Sequence, residues 1–574
     1  MRSNSDSNIW LNIVQEEIPH RFKNALDIID EIKIRCKVAS ISIGVLHEGK
    51  AIFRKSFGYR DVENKLPADS DSMYMLASLS KNFLVASVGI LVHEGKLKWE
   101  DPVSTYVPEF DPRDDPRIRE KANFIDILRH SGGLSNPVVS VLGPDGKVLL
   151  PPEDFIRLAN TAPTGNDVGQ YYDRTWEYSN IGYGVVALAV ENASGMSYSE
   201  FVQKKILEPL RLRRTAVTKS QVATDDNIAY PYVQLQDGTW KKLQYEWTSE
   251  EHTPVLAAFG KRSCVNDLLT WCAATMSAEF EEEEDMKPGI LQDIQRNPLK
   301  QMKRIRTGYW TRPHDDPFQN QSEYCMGWMR AVMPSCQVGW GSYNTLTTYD
   351  AERTSHKYIL GTESPKRPFL KHTGLGIGTA ICVHTFPDTR SAVVVLSNGL
   401  NLGDASDFTA QILIQELFDL HPRIDLMPWV KLETERRLAE FHNTIMLGWL
   451  ENRDVSEAER PQEEFIGDYC GLAITLSVTR NEKTKKLQLQ FNKRDDCVVQ
   501  LEYYNVDKYS YMPTTRDGWL AGGWLDWDYY MVGVLDFRRE KGEVSGLWWK
   551  WEEPSKPSWF AKKKLPRSKW PFLS

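Results

Sequence analysis

The sequence predicts an α+β protein followed by a small all-β domain. Three observations carry that expectation. Strand-forming segments stand at both ends of the first 425 residues with helical segments between them. One of those helical segments, from Leu79 to His93, is apolar on nearly every side. Beyond residue 460 the chain alternates apolar and polar residues in period two between short turns. Strands at the two ends can share one antiparallel sheet, with the helices covering it and forming a second lobe. The expected division is residues 1–425 for the α+β domain, 426–460 for a helical linker and 461–574 for a β-barrel.

An amphipathic helix is expected near residues 20–35, followed by "VASISIGVL" and "AIFRKSFGYRD" around "HEGK", the sequence form of a β-hairpin. The apolar helix comes next, with Gly95 placed to end it. Further helical segments fall at about 123–130, 183–195, 199–206 and 265–277. A second hairpin, "TAICVHTF" and "SAVVVLSN" around "PDTR", precedes a helix at 405–419. The like-charged run "EFEEEED" from Glu279, with the chain to about residue 320, reads as a solvated surface insertion. Residues 428–453 read as the helical linker. After it, "LAITLSVTR", "KLQLQFN", "VVQLEYYN", "YMVGVLDFRR" and "EVSGLWWKW" are the strands of the β domain. Eight of the 19 tryptophans follow residue 518, enough to fill a small barrel or to line a ligand surface. The segment "GWLAGGWLDWDYY" is expected to cover the entrance to a site in the first domain.

Composition narrows the function classes. A net charge of −8 gives no footprint for nucleic acid, and the basic tail "AKKKLPRSKW" reads as solvated surface. The eight cysteines include no C-x-x-C pair or zinc-type spacing, which fits reduced thiols in a cytoplasmic protein. The first residues lack the apolar core of a signal peptide, and the longest apolar run, Phe83 to Val92, is about half a membrane span. The expectation is a cytoplasmic protein with a small-molecule partner, no nucleic acid or membrane partner, and no metal or organic cofactor.

The chemistry starts from a misfit in "MYMLASLSKNFLVASVGILVHEGKL": the buried helix carries Lys81 in its first turn, against the positive end of the helix dipole. Ser78 lies three residues earlier, on the same side of that turn. Burial and the dipole both disfavour the ammonium, so such a lysine becomes a neutral amine able to take the proton of a neighbouring hydroxyl. Taken alone, S-x-x-K also fits a helix N-cap. Two further segments bear on the choice. "WEYSNIGYG" supplies Tyr178 and Asn180, two residues apart before a helix, or simply a turn with an exposed tyrosine. "LKHTGLGIGTAICV" supplies His372, Thr373 and Gly374 ahead of a strand, where glycine permits close backbone approach to a ligand, or simply a glycine-rich strand entrance. Its glycine spacing is not that of a dinucleotide loop.

The three motifs in this order resemble the serine β-lactamase and penicillin-binding-protein superfamily, nearest to its class C β-lactamase, esterase and D-aminopeptidase branch. The resemblance runs over roughly residues 20–420 and includes "EGKLKWEDPVSTYVPEF", "ILRHSGGL", "YSNIGYGVVALAVENASGMSYSEFVQKKILEPL" and "AAFGKRSCVNDLLTW". It implies a β-lactamase-like sheet flanked by helices, while the C-terminal domain resembles lipocalin-like modules of some relatives. It further implies Ser78 as acylated nucleophile, Lys81 as its proton acceptor and Tyr178 as partner base and acid. Asn180, His372, Thr373, Gly374 and Leu375 would contact substrate, with the amides of Ser78 and Leu375 forming the oxyanion hole. His130 would shape the site's loops. Superfamily members that act on β-lactams carry lysine where this chain has His372, so carboxylate-bearing β-lactams are disfavoured. The activity implied is a serine hydrolase or acyltransferase acting on a small ester, amide or thioester, in the manner of fungal secondary-metabolite enzymes. D-amino peptide or amide hydrolysis, β-lactamase activity and a non-catalytic binding pocket are the alternatives.

Overall fold

A computed structural model describes residues 20–164, 172–244, 253–283, 297–311, 322–336, 338–339, 358–376, 378–399, 401–523, 529–552 and 556–563. Two nine-stranded antiparallel sheets organise the chain. In the first, β1 (Ser40–His47) and β2 (Lys50–Asp61) form the expected hairpin. The late strands β3 (Arg367–Gly376), β4 (Thr379–Phe386) and β5 (Ser391–Ser397) complete the centre. β1 pairs with β5, with Ile41 opposite Ser397 and Leu46 opposite Ala392, so the two ends of the α+β region meet in one sheet. The order continues from β5 through β4 and β3 to Met329–Met333, Glu323–Tyr324 and Trp310–Thr311.

Period-two alternation gives the sheet two apolar faces. On one, Ile41, Ile43 and Val45 pack with α1 (His20–Arg35) and with a later helix, Ala405–Phe418, in one buried cluster. On the other face lie α2 (Lys81–His93), α3 (Asn180–Ser194) and α4 (Val265–Glu283), the helical lobe. Gly44 lets α4 come this close: a Cβ there would stand 2.5 Å from the Val265 side chain. Among the described residues no helix is long and apolar enough to cross a membrane.

The second sheet runs from Gly467 to Lys562. Its two edge strands, Val498–Gln500 and Glu502–Asn505, are consecutive in the chain with only Leu501 between them, which brings the sheet's ends together into a nearly closed barrel. Tyr469, Phe491, Tyr509, Phe537, Trp549 and Phe560 fill it. The barrel core is continuous with that of the helical lobe, and Phe441, Ile445 and Trp449 belong to the same buried cluster. Side chains also tie the two: Arg494 reaches the Val148 carbonyl at 2.6 Å and Arg516 reaches Asn401 Oδ1 at 2.7 Å. Of "GWLAGGWLDWDYY", residues 524–528 lie outside the described residues.

One expectation is corrected. The chain around the acidic run is not wholly a surface excursion, because α4 extends into it as far as Glu283 and Glu279 pairs at 2.7 Å with Arg306, which is fully buried. Leu299, Met302 and Ile305 are core residues packed against α2 and α4. Residues 284–296 and 312–321 lie outside the described residues.

Candidate active site

The site is assembled around a strained turn. Residues Ala77–Ser80 form one 3-10 turn that runs directly into α2, whose first residue is Lys81. Ala77 holds φ at 43°, a left-handed conformation that costs a non-glycine residue about 1–3 kcal/mol and persists only where surrounding structure enforces it. Two hydrogen bonds to one residue do so: Leu76 N donates to the Lys261 carbonyl at 2.8 Å, and Lys261 N donates to Ser80 Oγ at 3.1 Å. No side-chain cap bond is made at the start of α2, so Ser78 is not used as a helix cap.

Three residues along a tight turn bring Lys81 Nζ to 3.1 Å from Ser78 Oγ. The same Nζ donates to Asn180 Oδ1 at 2.6 Å and to the Ala258 carbonyl at 3.3 Å. Both of those partners only accept. A neutral amine has two N–H donors and one lone pair, so with both protons engaged the lone pair faces the Ser78 hydroxyl. Burial pushes the Lys81 pKa well below its ordinary value, and the charge of Lys261 pushes it further the same way. Among the described residues Lys81 makes no ion pair that would restore the ammonium.

Asn180 is aimed by the start of α3. Ser179 caps that helix by accepting from Gly182 N, and Asn180 N donates to Asn136 Oδ1 at 2.9 Å. Tyr178, just before the cap, presents its ring face to Lys81 Nζ at 4.6 Å from the ring centroid. Behind it stands His130, itself left-handed at φ 67°, with its ring 4.2 Å from that of Tyr178 and 4.9 Å from that of Tyr324. Glu177 is half-buried beside this cluster, and its pKa is pushed up to about 7 by desolvation and by the nearby charge of Glu552 from the barrel. The barrel thus acts electrostatically on the residue preceding Tyr178.

Ser78, Tyr178, Asn180, His372, Thr373 and Leu375 line one cavity of about 300 Å³, and Lys81 lies buried beneath it. Among the described residues the lining comes from Ala77 to Leu375, with none from the barrel. Gly374 is placed differently from the sequence expectation. It is not among the residues that line the cavity; a Cβ there would stand 2.0 Å from the Leu76 carbonyl, so its missing side chain lets β3 press on the turn carrying Ser78 rather than on a ligand. Two further residues had no local signal. Tyr324 lines the cavity between the two histidines, and Lys261 is a second fully buried lysine. Only the clustering of both in three dimensions reveals them.

The β-lactamase family model matches residues 25–416. Over 191 residues the chain is 31% identical to penicillin-binding protein 4* of Bacillus subtilis (strain 168), a match covering 32% of this chain and 40% of that protein. Over 203 residues it is 26% identical to the protein flp of Staphylococcus aureus (strain MW2), covering 35% of this chain and 39% of the other. The chain therefore matches well under two thirds of the length of these relatives. The structure of the octameric penicillin-binding protein homologue from Pyrococcus abyssi superposes with a TM-score of 0.53 at 19% identity, over 94% of this chain and 99% of that one, a likeness of fold.

Proposed function

The chain belongs to the β-lactamase family, and on that premise we propose that it is a serine hydrolase or acyltransferase working through an acyl-Ser78 intermediate on small esters, amides or thioesters. The observation that carries the proposal is the hydrogen-bond geometry of Lys81: its two N–H groups face Asn180 Oδ1 and the Ala258 carbonyl, and its remaining valence faces Ser78 Oγ. In this reading the Ser78 proton passes to Lys81 Nζ as Oγ bonds to the acyl carbon. The leaving group departs with a proton relayed by Lys81 and Tyr178. Water or a bound alcohol or amine then attacks the ester carbonyl and frees Ser78. The amides of Ser78 and Leu375 are placed in the role of oxyanion donors, a contribution worth about 3 kcal/mol when one is lost.

The names of the relatives point to penicillin binding, but the cavity favours a different donor. Its described lining holds no lysine or arginine, and His372 is kept neutral by burial. A carboxylate-bearing β-lactam would find no cation there, which supports an uncharged acyl donor of the kind processed in secondary metabolism. A fluorophosphonate probe tests the proposal: one adduct per chain should map to the peptide holding Ser78 and vanish in Ser78→Ala. Adducts on another residue would reject it.

A further inference from the structure

His130, Tyr324 and His372 come from three distant parts of the chain and form one hydrogen-bonded row along the cavity wall. Its proton positions follow from the partners. Ser179 N–H donates to His130 Nδ1 at 3.1 Å, so the proton of neutral His130 is on Nε2, which faces Tyr324 Oη at 3.2 Å. Tyr324 Oη accepts that bond and lies 3.2 Å from His372 Nε2. On the far side, His372 Nδ1 is 2.7 Å from the Thr373 carbonyl, which only accepts, so Nδ1 carries the proton and Nε2 must accept from Tyr324. With His372 neutral the row is satisfied in this one direction; Tyr183, whose own hydroxyl donates to the Leu128 carbonyl at 2.6 Å, is a further hydrogen-bonding neighbour of Tyr324.

We propose that Tyr324 is a specificity-determining positioning residue: held by His130, it spends its proton on His372, leaving that imidazole neutral and with no N–H for a substrate carboxylate, so the cavity selects acyl donors without one. This deepens the acyl-Ser78 reading and rests on it. The surroundings of His372 agree. Lys81 and Lys371 are the charged groups that act on it, both disfavouring a second proton, and no carboxylate among the described residues opposes them. Burial acts the same way and is the larger cause, holding the imidazole near a pKa of about 3. His130 is lowered by burial, Lys81 and His372 in turn. Protonating His372 would also require Tyr324 Oη to accept from both histidines and to turn its own proton away from His372.

The experiment compares two aryl esters, p-nitrophenyl butyrate and mono-p-nitrophenyl glutarate, in wild type, Tyr324→Phe and His372→Lys, with fluorophosphonate labelling of Ser78 followed in parallel. Tyr324→Phe keeps the ring and frees His372 Nε2 to take a proton opposite a carboxylate. The glutarate-to-butyrate ratio of kcat/KM should rise by at least about tenfold in it, and further in His372→Lys. Long-range proton–nitrogen spectra of histidine-labelled wild type should show His372 neutral and protonated at Nδ1 from pH 5 to 8. A ratio unchanged in Tyr324→Phe with labelling intact, whatever His372→Lys does, or a wild-type His372 that titrates near neutrality, overturns this proposal. Loss of Ser78 labelling in wild type would instead overturn the reading beneath it.

Discussion

Two buried lysines hydrogen-bond to one short turn, Pro254–Ala258, and only one of them also bonds to residues that line the cavity. The Ala258 carbonyl accepts from Lys81 and the Ala257 carbonyl, at 3.4 Å, from Lys261. Both are fully buried, neither forms an ion pair among the described residues, and burial is the first cause lowering the pKa of each, that of Lys261 to about 7. Their other partners differ. Lys261 Nζ donates to Tyr198 Oη at 2.8 Å and lies over that ring, deep in the helical lobe. Lys81 meets Ser78 and Asn180 at the cavity floor. Burial is therefore enough to depress a lysine's pKa but not to make it a base; in the proposed mechanism the base is the one whose lone pair meets a hydroxyl that substrate can reach. The other lysine supplies a field and a backbone clamp.

The sharpest way to break this contrast is to remove each amine. Lys81→Ala should lower the rate of Ser78 acylation by at least about a thousandfold, as expected when a member of a catalytic set is lost, with little change in far-UV circular dichroism. Gly374→Ala follows in size: the new Cβ would stand 2.0 Å from the Leu76 carbonyl and displace the turn carrying Ser78. A misplacement of that order should cost about a hundredfold in acylation and several degrees of melting temperature.

Lys261→Met should act least on rate and most on pH dependence. Activity requires neutral Lys81, so it rises with pH through the Lys81 pKa. Removing a cation that depresses that pKa raises it and moves the ascending limb of the pH–rate profile to higher pH. Stability moves the other way. The folded Lys261 pKa is depressed from 10.5 to about 7, so between those values the unfolded chain binds a proton that the folded one does not. Wild-type stability therefore rises with pH across that window and is lowest below it. The methionine variant lacks this slope and should melt at least about 3 °C higher at pH 7. A Lys261→Met enzyme as dead as Lys81→Ala would erase the contrast.

The sequence made some of this plain and hid the rest for physical reasons. The hairpins, the apolar helix and the Ser78–Lys81 pair are written in spacings of two to four residues, which local geometry converts directly into shared faces. The closing of β1 on β5 follows from strands placed at both ends of the α+β region. Tyr324 and Lys261 act through contacts with residues far away in the chain, and nothing beside them marks such contacts. Gly374 was legible as a close approach but not as an approach to Leu76. Leu299, Met302 and Ile305 were obscured by the acidic run before them, although their spacing of three already fits one face of a turn.

The account stands on a covalent ester at Ser78 formed with Lys81 as the base, and rapid-quench mass spectrometry tests it most directly. Wild type mixed with excess p-nitrophenyl butyrate and quenched in acid should carry one butyryl group per chain on the peptide containing Ser78. That adduct should form more slowly as pH falls through the ascending limb and be absent from Ser78→Ala and Lys81→Ala. Turnover of the ester without any adduct, or a butyryl group that persists in Ser78→Ala, would contradict the account.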